Sequence, residues 1–124
     1  MYEKFGQFID GEWCQSSDKS TYEVINPANE EIIGKVSKAN SKDVDRALKS
    51  AEKGLELWKR TPPWERSYII RRIADKIREK QDLLAKWMTL EVGKPFIEAK
   101  GEVNGAADIF EWNAEETKRI YGQT

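Results

Sequence analysis

The sequence predicts an α/β chain in which two β-hairpins, within residues 5–36, precede three or four α-helices within residues 41–121. Three observations carry this expectation. Two turn-forming clusters each lie between short apolar arms. The spacing of apolar residues changes to steps of three and four after Ser41. Helix-stopping residues then interrupt the pattern at Pro62 and again at Gly93–Pro95.

The stretch "FIDGEW" (Phe8 to Trp13) places Asp10-Gly11 between two apolar arms. That pair favours a two-residue hairpin because both central residues need positive φ. "QSSDKS" reads as a polar loop, and Tyr22–Ile25 and Ile32–Val36 are the arms of a second hairpin around Asn26-Pro27-Ala28-Asn29. Proline presets the turn and asparagine tolerates left-handed geometry. From Ser41, the expected N-cap, the residues Val44, Ala47, Leu48, Ala51, Leu55 and Trp58 form one apolar stripe. Thr61 as cap and Pro62 at the first helical position open the next helix. Its stripe runs through Ile69, Ile70, Ile73, Ile77, Leu84, Trp87 and Met88, with a kink expected near Gln81-Asp82. A last helix extends from about Pro95 to Tyr121, with Phe96, Ala99, Val103, Ala106, Phe110 and Ala114 on one side and Gly122 as its C-terminal cap.

The 124 residues suffice for one domain, and a composition 39% hydrophobic and 35% charged reads as soluble. With 21 basic and 22 acidic residues the net charge is −1, which argues against nucleic acid or an anionic membrane as partner. No apolar run reaches the roughly 20 residues that span a bilayer, and the start lacks the apolar core of a signal peptide, so the expected location is the cytoplasm. Cys14 is the only cysteine and there is no histidine, which excludes an internal disulfide and a Cys/His metal site.

Few residues offer chemistry. Cys14 has no histidine or basic cluster beside it in sequence and reads as a strand-end thiol. Lys94 after Gly93 lacks the glycine loop of a phosphate site, so helix capping is the better reading. Gly101 and Gly105 each cost about 1 kcal/mol within a helix, which implies a close approach by another helix or a ligand channel. Glu102, Glu111, Glu115 and Glu116 read as a solvated face, and the five tryptophans as core or interface. On residue chemistry alone the chain holds no competent active site.

Taken in order, "FIDGEW", "VINPANEEIIGKV", the helix from Asp43 to Ile77, "LLAKWMTLEVGKPFIEAKGEV" and "FEWNAEETKRIYG" resemble the N-terminal portion of the aldehyde dehydrogenase superfamily. The likeness covers about residues 7–124 and is nearest in look to the succinate-semialdehyde dehydrogenase branch. The resemblance implies an α/β parent fold with a Rossmann-type cofactor domain, residues 1–124 being its N-terminal part. It implies an enzyme that oxidises an aldehyde or semialdehyde to a carboxylic acid with NAD or NADP, through a cysteine thiolate and a glutamate-activated water. Those residues, the cofactor-binding turn and the oligomerisation strands are expected downstream of Thr124. The isolated chain is therefore expected to be inactive, and its partners to be the remainder of the polypeptide and further copies in a homo-oligomer. The resemblance also implies a structural Na+ or K+ held by Glu91 and the carbonyls of Val24 and Ile25, and a substrate tunnel passing Gly105. A capping or salt-bridging role for Glu91 stays open. So does the alternative that the chain is a stand-alone, non-catalytic helical interaction module.

Overall fold

The computed structural model describes residues 6–122; position 5, where the first hairpin was expected to begin, lies outside them. The chain divides into two compact units, Met1–Lys59 and Arg60–Thr124.

In the first unit, β1 (Gln7–Ile9) and β2 (Glu12–Cys14) pair antiparallel with Phe8 opposite Trp13, whose rings lie 5.2 Å apart. Asp10 (φ 57°) and Gly11 (φ 82°) make the expected turn. β3 (Thr21–Ile25) and β4 (Ile32–Ser37) form the second hairpin, whose register slips between Val24 and Ile25. The left-handed residue of its connection is Glu30 (φ 60°), not an asparagine. Asn26 and Asn29 instead shape the turn with their side chains, accepting from the N–H groups of Ala28 and Glu31.

Helix α1 (Ser41–Trp58) is capped by Asn40 rather than Ser41. Asn40 accepts from the backbone of Lys42 and Asp43, and Asp43 accepts from the Asn40 N–H in return, a reciprocal capping box. The helix turns its polar face to the first hairpin, through Arg46 to Cys14 and Ser50 to Asp10. Its apolar stripe is left open: Val44, Leu48 and Leu55 are each at least half exposed.

The second unit contains α2 (Pro63–Glu79), α3 (Gln81–Val92) and α4 (Phe96–Glu116), followed by a 3-10 turn at Thr117–Arg119. The chain therefore has four α-helices among the described residues, the expected kink being a break at Lys80. Pro62 is the N-cap of α2 and Pro63 its first residue, one position later than expected. Gly93 (φ 76°) ends α3 in the left-handed conformation that glycine adopts without steric cost. Pro95 then caps α4, which stops five residues short of Tyr121.

α4 packs against α2 and α3 through small residues. Ala74, Ala85, Ala99, Ala107 and Ala114 are fully buried and Val103 is nearly so. Ile77, Leu84 and Met88 pack beside them while partly exposed. The stripe expected for α4 is corrected in part, since Ala107 rather than Ala106 faces inward and Phe96 and Phe110 are exposed. The close approach expected at Gly101 and Gly105 is made by the alanines instead. A Cβ added at either glycine would meet nothing within 4 Å. Of the tryptophans, Trp13, Trp58, Trp64 and Trp112 are exposed and only Trp87 is partly buried.

Candidate functional site

The most densely bonded group in the first unit is the Asp43 carboxylate, which is 1% exposed. It accepts from the Ser16 hydroxyl at 2.9 Å, from the Ser17 N–H at 3.1 Å and from the Asn40 N–H at 3.2 Å. Gln7 reaches it from β1 at 3.5 Å. Burial pushes its pKa up, but these donors outweigh burial and hold the carboxyl below its ordinary value. Asp18 is held well below the carboxylate range chiefly by the Ser20 hydroxyl, with the Ser20 N–H, and it shares the one Ser16 hydroxyl proton with Asp43. Loop 15–20, β1 and the start of α1 are thereby tied to one anion. The cluster is structural, because every donor is already committed.

Cys14 has the neighbours that its sequence position does not suggest. Arg46, one of the residues on the polar face of α1, donates to Sγ at 2.8 Å, and the thiol donates to the Gln7 carbonyl at 3.3 Å. An open cleft of about 350 Å3 beside it is lined by Asp10, Glu12, Lys49 and Lys53 among others. The reading that no basic cluster lies beside Cys14 is corrected, because α1 brings Arg46 onto the thiol from 32 residues away and Lys49 and Lys53 into the same cleft. Among the described residues no group of three or more His, Cys, Asp or Glu side chains could hold a metal ion.

In the second unit the carboxylates of α4 are solvated, as expected, and are also ion-paired. Arg71 on α2 pairs with Glu111 at 2.7 Å and also with Glu115, while Arg78 pairs with Asp108 and Glu111 at 2.8 and 2.7 Å. Hydrogen bonding to Lys118, helped by the charges of Lys118 and Arg71, holds Glu115 below its ordinary value against the effect of burial. Lys94 pairs with Glu102 across the α3–α4 connection.

Glu91 lies exposed on the last turn of α3, on the edge of an apolar cleft with Trp87, Met88, Val92, Val103 and Ala106. Val24 and Ile25 belong to the first unit, where the slipped register of the second hairpin falls between them. Gly105, half-buried on α4, borders open space.

A dinucleotide pyrophosphate needs free backbone N–H groups at a helix N-terminus behind a glycine turn. The residues present do not fit it. The N-terminus of α1 is filled by Asn40 and by the Asp43 carboxylate, which would repel a phosphate. The first turns of α2, α3 and α4 carry Glu65, Asp82 and Glu98, which would repel a phosphate likewise, and no glycine lies between β4 and α1.

Residues 13–124 match the family model described as the aldehyde dehydrogenase family. The chain is 46% identical over 117 residues to glutarate-semialdehyde dehydrogenase of Pseudomonas putida, which is 94% of this chain and 24% of that protein. It is 43% identical over 116 residues to the succinate-semialdehyde dehydrogenase [NADP(+)] of Escherichia coli, again 94% of this chain and 24% of the relative. The chain thus spans about a quarter of the length of the curated relatives it matches. Among solved structures it is similar to an E. coli NADP-dependent enzyme, with 42% identity and a TM-score of 0.93 over 98% of this chain and 26% of that one. It is also similar to Staphylococcus aureus betaine aldehyde dehydrogenase in complex with NAD+, with 34% identity and a TM-score of 0.92 over 97% of this chain and 25% of that one.

Proposed function

The chain belongs to the aldehyde dehydrogenase family, and from that premise we propose that it is the amino-terminal quarter of an NAD(P)-dependent enzyme that oxidises a semialdehyde to a dicarboxylic acid. The observation that carries this reading is the pairing of near-complete coverage of this chain with only 24% coverage of each semialdehyde-oxidising relative. The inventory of side chains agrees with it. A core of alanines and one valine leaves large apolar groups in solvent, among them Leu57, Trp64, Ile97 and Trp112, each at least 70% exposed. Isolated domains bury such groups, and contiguous apolar surface of more than a few hundred Å2 usually has a partner.

In this reading the chain supplies frame rather than chemistry. NAD or NADP is held by the remainder of the polypeptide, since no donor set among the described residues suits the pyrophosphate. The segment alone is inactive, and the whole enzyme works as a cytoplasmic homo-oligomer. Glu91 and the carbonyls of Val24 and Ile25 are oxygen donors of the hard type that Na+ or K+ prefers, and in the whole enzyme they hold such an ion. Gly105, where an added Cβ would meet nothing within 4 Å among the described residues, leaves room along a substrate path.

The test is a chimera in which these 124 residues replace the matching quarter of the E. coli succinate-semialdehyde dehydrogenase. A folded chimera that reduces NADP+ with succinate semialdehyde is the expected result. A folded chimera without activity would contradict the assignment.

A further inference from the structure

A groove on the second unit is floored by Ile69, Ile73, Ile77 and Leu84 and has a volume of about 450 Å3. Ile69 and Ile73 are each 40% exposed, so the floor is open to solvent. One wall is a cationic row along α2 and its C-cap, Arg72, Lys76 and Lys80, spaced four residues apart and so about 6 Å from one another. Lys76 pairs with Glu79, and the Arg72 guanidinium lies 5.8 Å from the Tyr68 ring. Among the described residues neither Arg72 nor Lys80 has a carboxylate at ion-pair distance. Glu79 thus offsets Lys76, and lies within reach of the charge of Lys80, but three cations face one carboxylate, and an apolar floor beside that excess specifies its occupant by charge as well as by hydrophobicity.

We propose that this groove receives an apolar element bordered by carboxylates, supplied by the three quarters of the enzyme that this chain lacks. The proposal rests on the reading above, because the solved enzymes on which this chain superposes carry about three times as much further polypeptide. Burial of the floor removes apolar surface from water. Pairing of the cationic row fixes the register of the docked element and rejects one with basic flanks.

The experiment is thiol labelling at position 73 in a Cys14→Ser background, read by peptide mass spectrometry. Ile73→Cys is made in the isolated chain and in the active chimera with the E. coli enzyme. The maleimide rate is normalised to the same chain in denaturant. In the isolated chain Cys at position 73 should react readily, and in the chimera at least tenfold more slowly. The combined variant Arg72→Glu, Lys76→Glu, Lys80→Glu should leave the helix content of the isolated chain intact while lowering the melting temperature of the chimera. An active chimera in which position 73 stays fully reactive overturns the groove assignment and leaves the family reading standing. Protection in the isolated chain that rises with its concentration would give the groove to a second copy, which also overturns the proposal. An indifferent charge-reversal variant contradicts the acidic border.

Discussion

The Arg46 guanidinium donates to the Cys14 sulfur at 2.8 Å, joining two residues that are 32 positions apart. A cation at that distance draws in anionic reagents. Arg46→Ala should therefore slow alkylation of Cys14 by iodoacetate roughly threefold or more, and slow iodoacetamide less. High salt should narrow the gap between the two reagents. Equal rates in wild type and variant would show that the pair has no effect on reactivity.

The Asp43 cluster makes the first unit acid-sensitive. The folded-state pKa values of Asp43 and Asp18 are depressed, so the unfolded chain binds protons more readily than the folded one. Their contribution is present above the ordinary carboxylate value of about 3.9 and is lost as pH falls below it. Circular dichroism should show α1 loosening below that pH, and Asp43→Asn should weaken this dependence, leaving the part due to Asp18, at the cost of lower stability at neutral pH. Separately, Asn40→Ala removes the cap and should cost about 1 kcal/mol.

The alanine core sets how closely α4 approaches its neighbours. Ala99 and Ala85 are both 0% exposed and belong to one cluster. Ala99→Leu would force α3 and α4 apart and should destabilise the second unit by about 1–3 kcal/mol in denaturant titration. Gly101→Ala, facing open space on the same helix, should instead be neutral or gain about 1 kcal/mol of helix propensity.

Glu91 separates an ion ligand from a surface carboxylate. In the active chimera, Glu91→Gln should remove the difference between melting temperatures in sodium, potassium and a bulky organic cation at equal ionic strength, where general screening is constant. A variant that keeps the wild-type ranking would leave Glu91 a capping or salt-bridging group.

The hairpins and helices were legible because their signals are local. Asp10-Gly11 takes up positive φ at both positions as the dipeptide requires, and Gly93 ends α3 as a left-handed residue. Caps shifted by one residue, since Asn40 and Ser41 are both competent and only the return bond from Asp43 selects Asn40. The period of Val44, Leu48 and Leu55 identified an apolar face, but not where its cover comes from, and here the stripe faces solvent. Glu111 and Glu115 read as solvated but not as ion-paired, because their partners, Arg71 and Arg78, lie on a different helix. The Cys14–Arg46 pair was hidden for the same reason: no local pattern encodes a contact made by folding α1 over a hairpin.

The central claim is that this quarter of the enzyme frames the chemistry without performing it. The most direct measurement is reduction of NAD or NADP by the purified chain with a panel of aldehydes and semialdehydes, using wild type and Cys14→Ala. No turnover by either protein is the predicted result. Turnover by the wild-type chain that Cys14→Ala abolishes would contradict the account, because it would make Cys14, with Arg46 beside it, a catalytic thiol.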